Sequence, residues 1–179
     1  MRTMLNVVAP SEVSPAVYRA FLDTLPVKRP RKIILINIPQ VPADVFNRET
    51  ARMNGYHIYP PIGYLYLAAA AKLADPELEI VILDLNYEML RRCHLGLLDS
   101  NIRTFWQDPI SQAITGSDDI HVAVGNMFDA TTPMFLDILR FLKAEFPNVT
   151  VITGGVQTTL DYQELIEKDL CHLDRKSVV

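Results

Sequence analysis

An α/β layered fold built on a parallel sheet is the architecture this sequence predicts. Two observations carry it. Four short, near-continuous apolar runs read as strands buried on both faces, and helical patterns stand between them. The resulting order, β-α-β-α-β-α-β-α, is that of a layered α/β domain. Size and composition agree. The chain has 179 residues, about one domain's worth, of which 49% are hydrophobic and 21% charged. A chain of this length buries roughly two-thirds of its unfolded surface, enough for a real core.

Residues 1–30 come first and stand outside the alternation. They hold one helix candidate, Pro15 to Leu25, and lead into a basic, proline-bounded stretch, Lys28-Arg29-Pro30-Arg31. They read as an N-terminal helical extension or linker to a domain over residues 31–173. The first strand, Lys32-Ile33-Ile34-Leu35-Ile36-Asn37-Ile38, stops at Pro39. A long connection of mixed polarity then runs from Pro39 to Pro60, at the edge where open α/β sheets take ligands. Pro61 to Ala74 is rich in Leu and Ala, with proline early and Pro76 just past its end, which marks a helix. Leu78 to Leu85 is the second strand, and a helix over Tyr87 to Leu98 follows. Asp119 to Gly125 is the third strand. Pro133 to Phe146 carries Phe135, Ile138, Leu139 and Leu142 at helical spacing, with Thr132 as a cap. Val149 to Thr153 is the fourth strand, stopped by Gly154-Gly155. A last helix is expected over Tyr162 to Leu170.

Charge and motif content exclude several classes. Lys plus Arg is 17 and Asp plus Glu is 21, a net charge of -4, which does not suit a dedicated nucleic-acid binder. The longest apolar run, Ile62 to Ala71, is too short to span a bilayer, so no membrane partner is expected. No basic, then apolar, leader is visible, and a cytoplasmic protein with reduced thiols is the expectation. Cys93 and Cys171 alone hold neither a four-cysteine zinc site nor an iron–sulfur cluster. His57, His94, His121 and His172 are scattered, and His121 falls inside a strand. Asp118-Asp119 reads as a solvated turn before the third strand. Neither glycine-rich phosphate loop occurs, and no nucleophile elbow. A receiver domain would want a carboxylate where Gly125-Asn126 stands.

Three segments remain as site candidates. Gly154-Gly155-Val156-Gln157-Thr158-Thr159 ends the fourth strand. Its glycines allow a close backbone approach, and Thr158 and Thr159 bring hydroxyls to a helix start. Gly125-Asn126-Met127-Phe128, with Thr131 ahead of the next helix, ends the third strand and should reach the same sheet edge. Pro61-Ile62-Gly63-Tyr64 opens the Ala-rich helix. Taken singly, these segments suit a glycine turn with a capped helix, an ordinary strand–helix loop, and a well-buried helix start better than a ligand site.

Together they resemble something more specific. Asn37-Ile38-Pro39, Pro60-Pro61-Ile62-Gly63-Tyr64-Leu65-Tyr66-Leu67-Ala68, Val124-Gly125 and Gly154-Gly155-Val156-Gln157-Thr158-Thr159-Leu160 occur in order and at fitting intervals. Over roughly residues 31–170 the chain resembles the N-terminal cobalamin-binding domain of cobalamin-dependent radical S-adenosylmethionine enzymes. The resemblance implies a Rossmann-like (flavodoxin-like) open parallel sheet in three layers. It implies a corrin ring over the C-terminal strand edge and a nucleotide tail running down beside the sheet. Gly154, Gly155 and Thr159 would flank the tail, Gly125 to Phe128 would form the neighbouring wall, and Pro61 to Tyr64 would shape the entrance near the ring.

The departures are as informative. Met127 stands where many relatives of that kind carry Ser, so a hydroxyl contact is lost unless Asn126 or Thr131 replaces it. Gln157 stands where His is frequent. The Asp-x-His-x-x-Gly motif that supplies a cobalt-ligating His elsewhere is absent, so cobalt would have no protein His beneath it. No Cys-x-x-x-Cys-x-x-Cys motif occurs. S-adenosylmethionine and a four-iron cluster would therefore belong only to a downstream radical domain, the expected partner, and this chain alone is not expected to be catalytic. The sheet is expected to lack its last strand, and residues 174–179 resemble a translated library adapter, a non-native tail. The competing reading is a stand-alone flavodoxin-like or receiver-like regulatory module.

Overall fold

The computed structural model describes residues 29–56, 59–98, 102–116, 119–171 and 173–174. The helix candidate Pro15 to Leu25 lies outside the described residues. The elements in order are β1 (Lys32–Asn37), α1 (Arg48–Arg52), α2 (Ile62–Ala74), β2 (Glu79–Asp84), α3 (Leu85–His94), α4 (Gln107–Ile114), β3 (Ile120–Gly125), a 3-10 turn (Asp129–Thr131), α5 (Thr132–Glu145), β4 (Thr150–Gly154), α6 (Val156–Glu167) and β5 (Leu173–Asp174). The strands form one sheet in the order β2-β1-β3-β4-β5, parallel at every pairing. The fold is the open, three-layer, Rossmann-like α/β architecture.

Topology assigns the helices to faces. The crossover from β1 to β2 steps one way across the sheet, and every later crossover steps the other way. Crossovers between parallel strands are right-handed, so α2 lies on one face and α3 to α6 on the opposite face. The crowded face holds the core. Ile34, Val122 and Val151 stand in register there, as do Ile36 and Val124, all buried together with Met89, Ile110, Phe135, Ile138, Leu139 and Leu165. The α2 face is barer. Leu35 and His121 are buried on it, while Ile33, Ala123 and Ile152 are half-buried.

Helix α2 is apolar all round yet has no fully buried residue. Pro61, Tyr64, Ala68 and Ala71 fall at one-turn spacing and are half-buried, whereas Ile62, Leu65, Tyr66, Leu67 and Leu73 are exposed. Among the described residues no helix is long and apolar enough to cross a membrane.

The structure departs from the sequence expectation in four places. Helix α3 starts at Leu85 because Asp84, the last residue of β2, caps it by accepting the Tyr87 N–H at 3.1 Å. Helix α6 starts at Val156, directly after the glycine turn, instead of at Tyr162. Two short helices lie where connections were expected. In α1, Asn47 Oδ1 accepts from the Glu49 and Thr50 N–H groups, and Phe46 stacks on Tyr56 with centroids 5.6 Å apart, so the long connection after β1 is partly ordered. In α4, Pro109 sits in the first turn, where a missing N–H costs nothing, and Ile110 and Ile114 turn inward. Finally, a fifth strand is present for two residues: Leu173 and Asp174 pair with Ile152 and Thr153. Asp174 thus pairs at the edge of the sheet. Buried Leu170 and Cys171 bring the chain back from α6 to the side of β4.

Candidate functional site

The C-terminal strand edge is level. Asn37 is in register with Asp84 on one side and Gly125 on the other, and Gly125 with Gly154. The loops that leave this edge are laced together by Asn126. Its backbone N–H donates to the Gly154 carbonyl at 2.8 Å, and its own carbonyl accepts from the Gln157 N–H at 3.2 Å. Its side-chain oxygen accepts from the Thr131 hydroxyl at 2.8 Å and from the Phe128 N–H at 3.4 Å. Its amide nitrogen donates to the Thr132 hydroxyl at 2.9 Å. Asn126 and Thr131 are buried, so their polar groups hold the loops rather than face an opening.

The three glycines at this edge have different reasons to be glycine. Gly155 has φ 105°, and a Cβ there would lie 2.2 Å from the Asn126 carbonyl oxygen, so the fold itself requires it. A Cβ on Gly125 would lie 2.2 Å from the Tyr64 hydroxyl oxygen, so its missing side chain makes room for that phenol. A Cβ on Gly154 would meet nothing within 4 Å. The free space at this edge therefore opens beside Gly154.

Tyr64 forms the neighbouring wall. Its hydroxyl donates to the Ile36 carbonyl at 2.9 Å. Burial pushes the phenol pKa up to about 12; the Gly125 backbone group opposes this and the nearby Asp84 charge adds to it. The phenol is thus a neutral, fixed donor. Asp84 also accepts from the Asn37 side-chain amide at 2.9 Å. The sequence reading missed this Asn37–Asp84 pair, although two polar residues closing adjacent strands were a signal for it.

The threonines are less available than their position suggests. Thr158 is buried and donates to the Gly154 carbonyl at 2.8 Å; Thr159, half-buried, donates to the Gly155 carbonyl at 3.0 Å. Both fold back one turn, which leaves Thr159 Oγ1 only its acceptor capacity. Gln157 donates through Nε2 to Asp161 at 2.8 Å, which leaves its side-chain carbonyl as an acceptor. Ile62, Met127, Phe128 and Val156 are 52–59% exposed, an apolar set on the helix starts and loops of this edge. Gly63 is exposed with open space round it, and Pro61 is half-buried. Among the described residues no three His, Cys, Asp or Glu side chains gather where they could hold a metal ion.

Gly125, Asn126, Gly154, Gly155 and Gln157 therefore meet directly, with Tyr64 against Gly125, as an α/β sheet edge with open space beside Gly154. No family model, curated protein or solved structure matched the chain in three comparisons.

Proposed function

We propose that this chain is a cobalamin-binding module, which holds and orients a corrinoid for a downstream radical S-adenosylmethionine domain that carries out methyl transfer or rearrangement. The observation that carries the reading is the open lane beside Gly154, on the barer face of a parallel sheet and at its ligand-binding edge. A nucleotide tail running down beside the sheet needs room at a strand end, and Gly154 leaves it. The Gln157 side-chain carbonyl and Thr159 Oγ1, both on half-buried residues of the first turn of α6, keep acceptor capacity. Tyr64 fills the space over Gly125, so the tail's lane lies on the Gly154 side. Ile62, Met127, Phe128 and Val156 give the apolar surface that a corrin ring requires.

When bound, cobalamin supplies the organometallic chemistry, and the protein supplies binding and orientation. The chain's own work is to hold the tail against the sheet, keep water off the ring's lower side and present the cofactor at the strand edge.

The test is a titration of the folded chain with hydroxocobalamin, followed by desalting and a visible spectrum. Retention of one equivalent is expected. A folded chain that retains none would instead favour the regulatory-module reading.

A further inference from the structure

We propose that two copies of this chain pair through the outer stripe of α2, helix against antiparallel helix about a two-fold axis. The pairing is independent of the cobalamin reading.

Helix α2 is unlike the other long helices. A helix laid on a sheet normally turns charged residues to water. On α3 these are Glu88, Arg91 and Arg92, and on α5 Asp137, Arg140, Lys143 and Glu145. The 13 residues of α2 include a single charge, Lys72, and its Nζ folds back to donate to the Pro76 carbonyl at 2.9 Å. What α2 shows instead is apolar. Tyr66 is 73% exposed and Leu73 87%, and Leu65, Leu67, Ala69 and Ala70 are exposed as well. The opposite side is pinned, because the Tyr64 hydroxyl donates to the Ile36 carbonyl, so the outer stripe is held at a fixed angle to the sheet.

The stripe is complementary to itself. At 3.6 residues per turn, Tyr66, Ala69, Ala70 and Leu73 point away from the sheet, with Leu65 on one flank and Leu67 on the other. An axis between Ala69 and Ala70 sets Tyr66 of each copy against Leu73 of the other and leaves alanine facing alanine at the centre. Small residues there let the helix axes approach to about 8 Å, while the large pairs close both ends. Every contact is then made twice, as a two-fold interface requires. Ile62 falls outside the paired span and stays at the sheet edge. The area suits a second copy too. Leu65 to Leu73 expose roughly 600 Å² per chain, so pairing removes about 1,200 Å² from water, where stable interfaces begin. With no charge on the stripe, nothing on it repels an identical copy.

The experiment is sedimentation equilibrium of the full chain over about 1–100 μM, wide enough to bracket the micromolar affinity at which interfaces of this size begin. A monomer–dimer equilibrium is expected. Ala69→Glu with Ala70→Glu should raise the dimer dissociation constant at least tenfold and keep the helix, since Glu is nearly as good a helix former as Ala. Asp137→Ala with Arg140→Ala, on exposed α5, should leave it unchanged. A parent that stays monomeric throughout would overturn the proposal and assign the stripe to a different partner. So would a dimer indifferent to the glutamates, which must use another face. If that double variant loses its fold, Leu73→Lys at the most exposed position repeats the test, and unchanged dimerisation there is equally fatal.

Discussion

Gly154→Val separates site from scaffold. A Cβ at Gly154 meets nothing within 4 Å, and the residue ends a strand, where a β-branched side chain is favoured. The fold should gain up to about 1 kcal/mol, since glycine weakens strands. The valine would stand in the open lane. A clash costing about 3 kcal/mol corresponds to a loss of cobalamin affinity of roughly a hundredfold. The neighbouring Gly155→Ala is the contrast. There the Cβ lies 2.2 Å from backbone and φ is 105°, so overpacking and backbone strain together cost about 2–4 kcal/mol of stability. The assay pairs denaturant unfolding with spectroscopic titration. A Gly154→Val protein as stable as the parent that binds cobalamin equally well would refute the lane. A Gly154→Val protein destabilised by several kcal/mol would refute the open geometry.

Other perturbations follow from the same edge. Gly125→Ala should cost about 1–3 kcal/mol by driving a methyl into the Tyr64 hydroxyl, and Tyr64→Phe about 1 kcal/mol for its hydrogen bond. The double variant should lose clearly less than their sum, which a double-mutant cycle reads; strict additivity would show that the two do not touch. The Tyr64 pKa, raised from 10.0 to about 12, makes the folded state hold a proton the unfolded state has lost. That contribution is whole below pH 10 and falls away as pH rises towards 12, by about 2–3 kcal/mol, and Tyr64→Phe should flatten this arm of the stability profile. Asn126→Ala should cost about 2–3 kcal/mol and speed amide exchange in the loop after β3 and at the start of α5, because the buried side chain bonds Phe128, Thr131 and Thr132, while the backbone bonds to Gly154 and Gln157 remain. Unchanged exchange in that loop would contradict the lacing.

Much of this was legible in the chain. Ile33 to Ile36 and Val122 to Val124 are apolar runs with one plausible state, so strands and helices alternate as the sequence predicts. Gly154-Gly155 was visible as special, but its division of labour was not. That depends on the Asn126 carbonyl and on φ at Gly155, neither of which a sequence carries. Tyr64 looked like part of an entrance. Its placement over Gly125 is a tertiary fact, set by how α2 crosses β1. The threonines misled because a hydroxyl at a helix start can turn to solvent or back onto a carbonyl, and both here turn back. Helix α4 was hidden by Pro109, which reads as a breaker until its first-turn position is known. The start of α6 was hidden by Gln157-Thr158-Thr159, residues that fit a loop as well as a helix.

The most direct measurement is a parallel titration of the folded chain with cobalamin and with cobinamide, the corrinoid that lacks the nucleotide tail. If the lane beside Gly154 takes the tail, cobalamin binds with one-to-one stoichiometry and cobinamide at least tenfold more weakly. A folded chain that binds neither, or both equally, would contradict the claim that this edge is built around a corrinoid's tail.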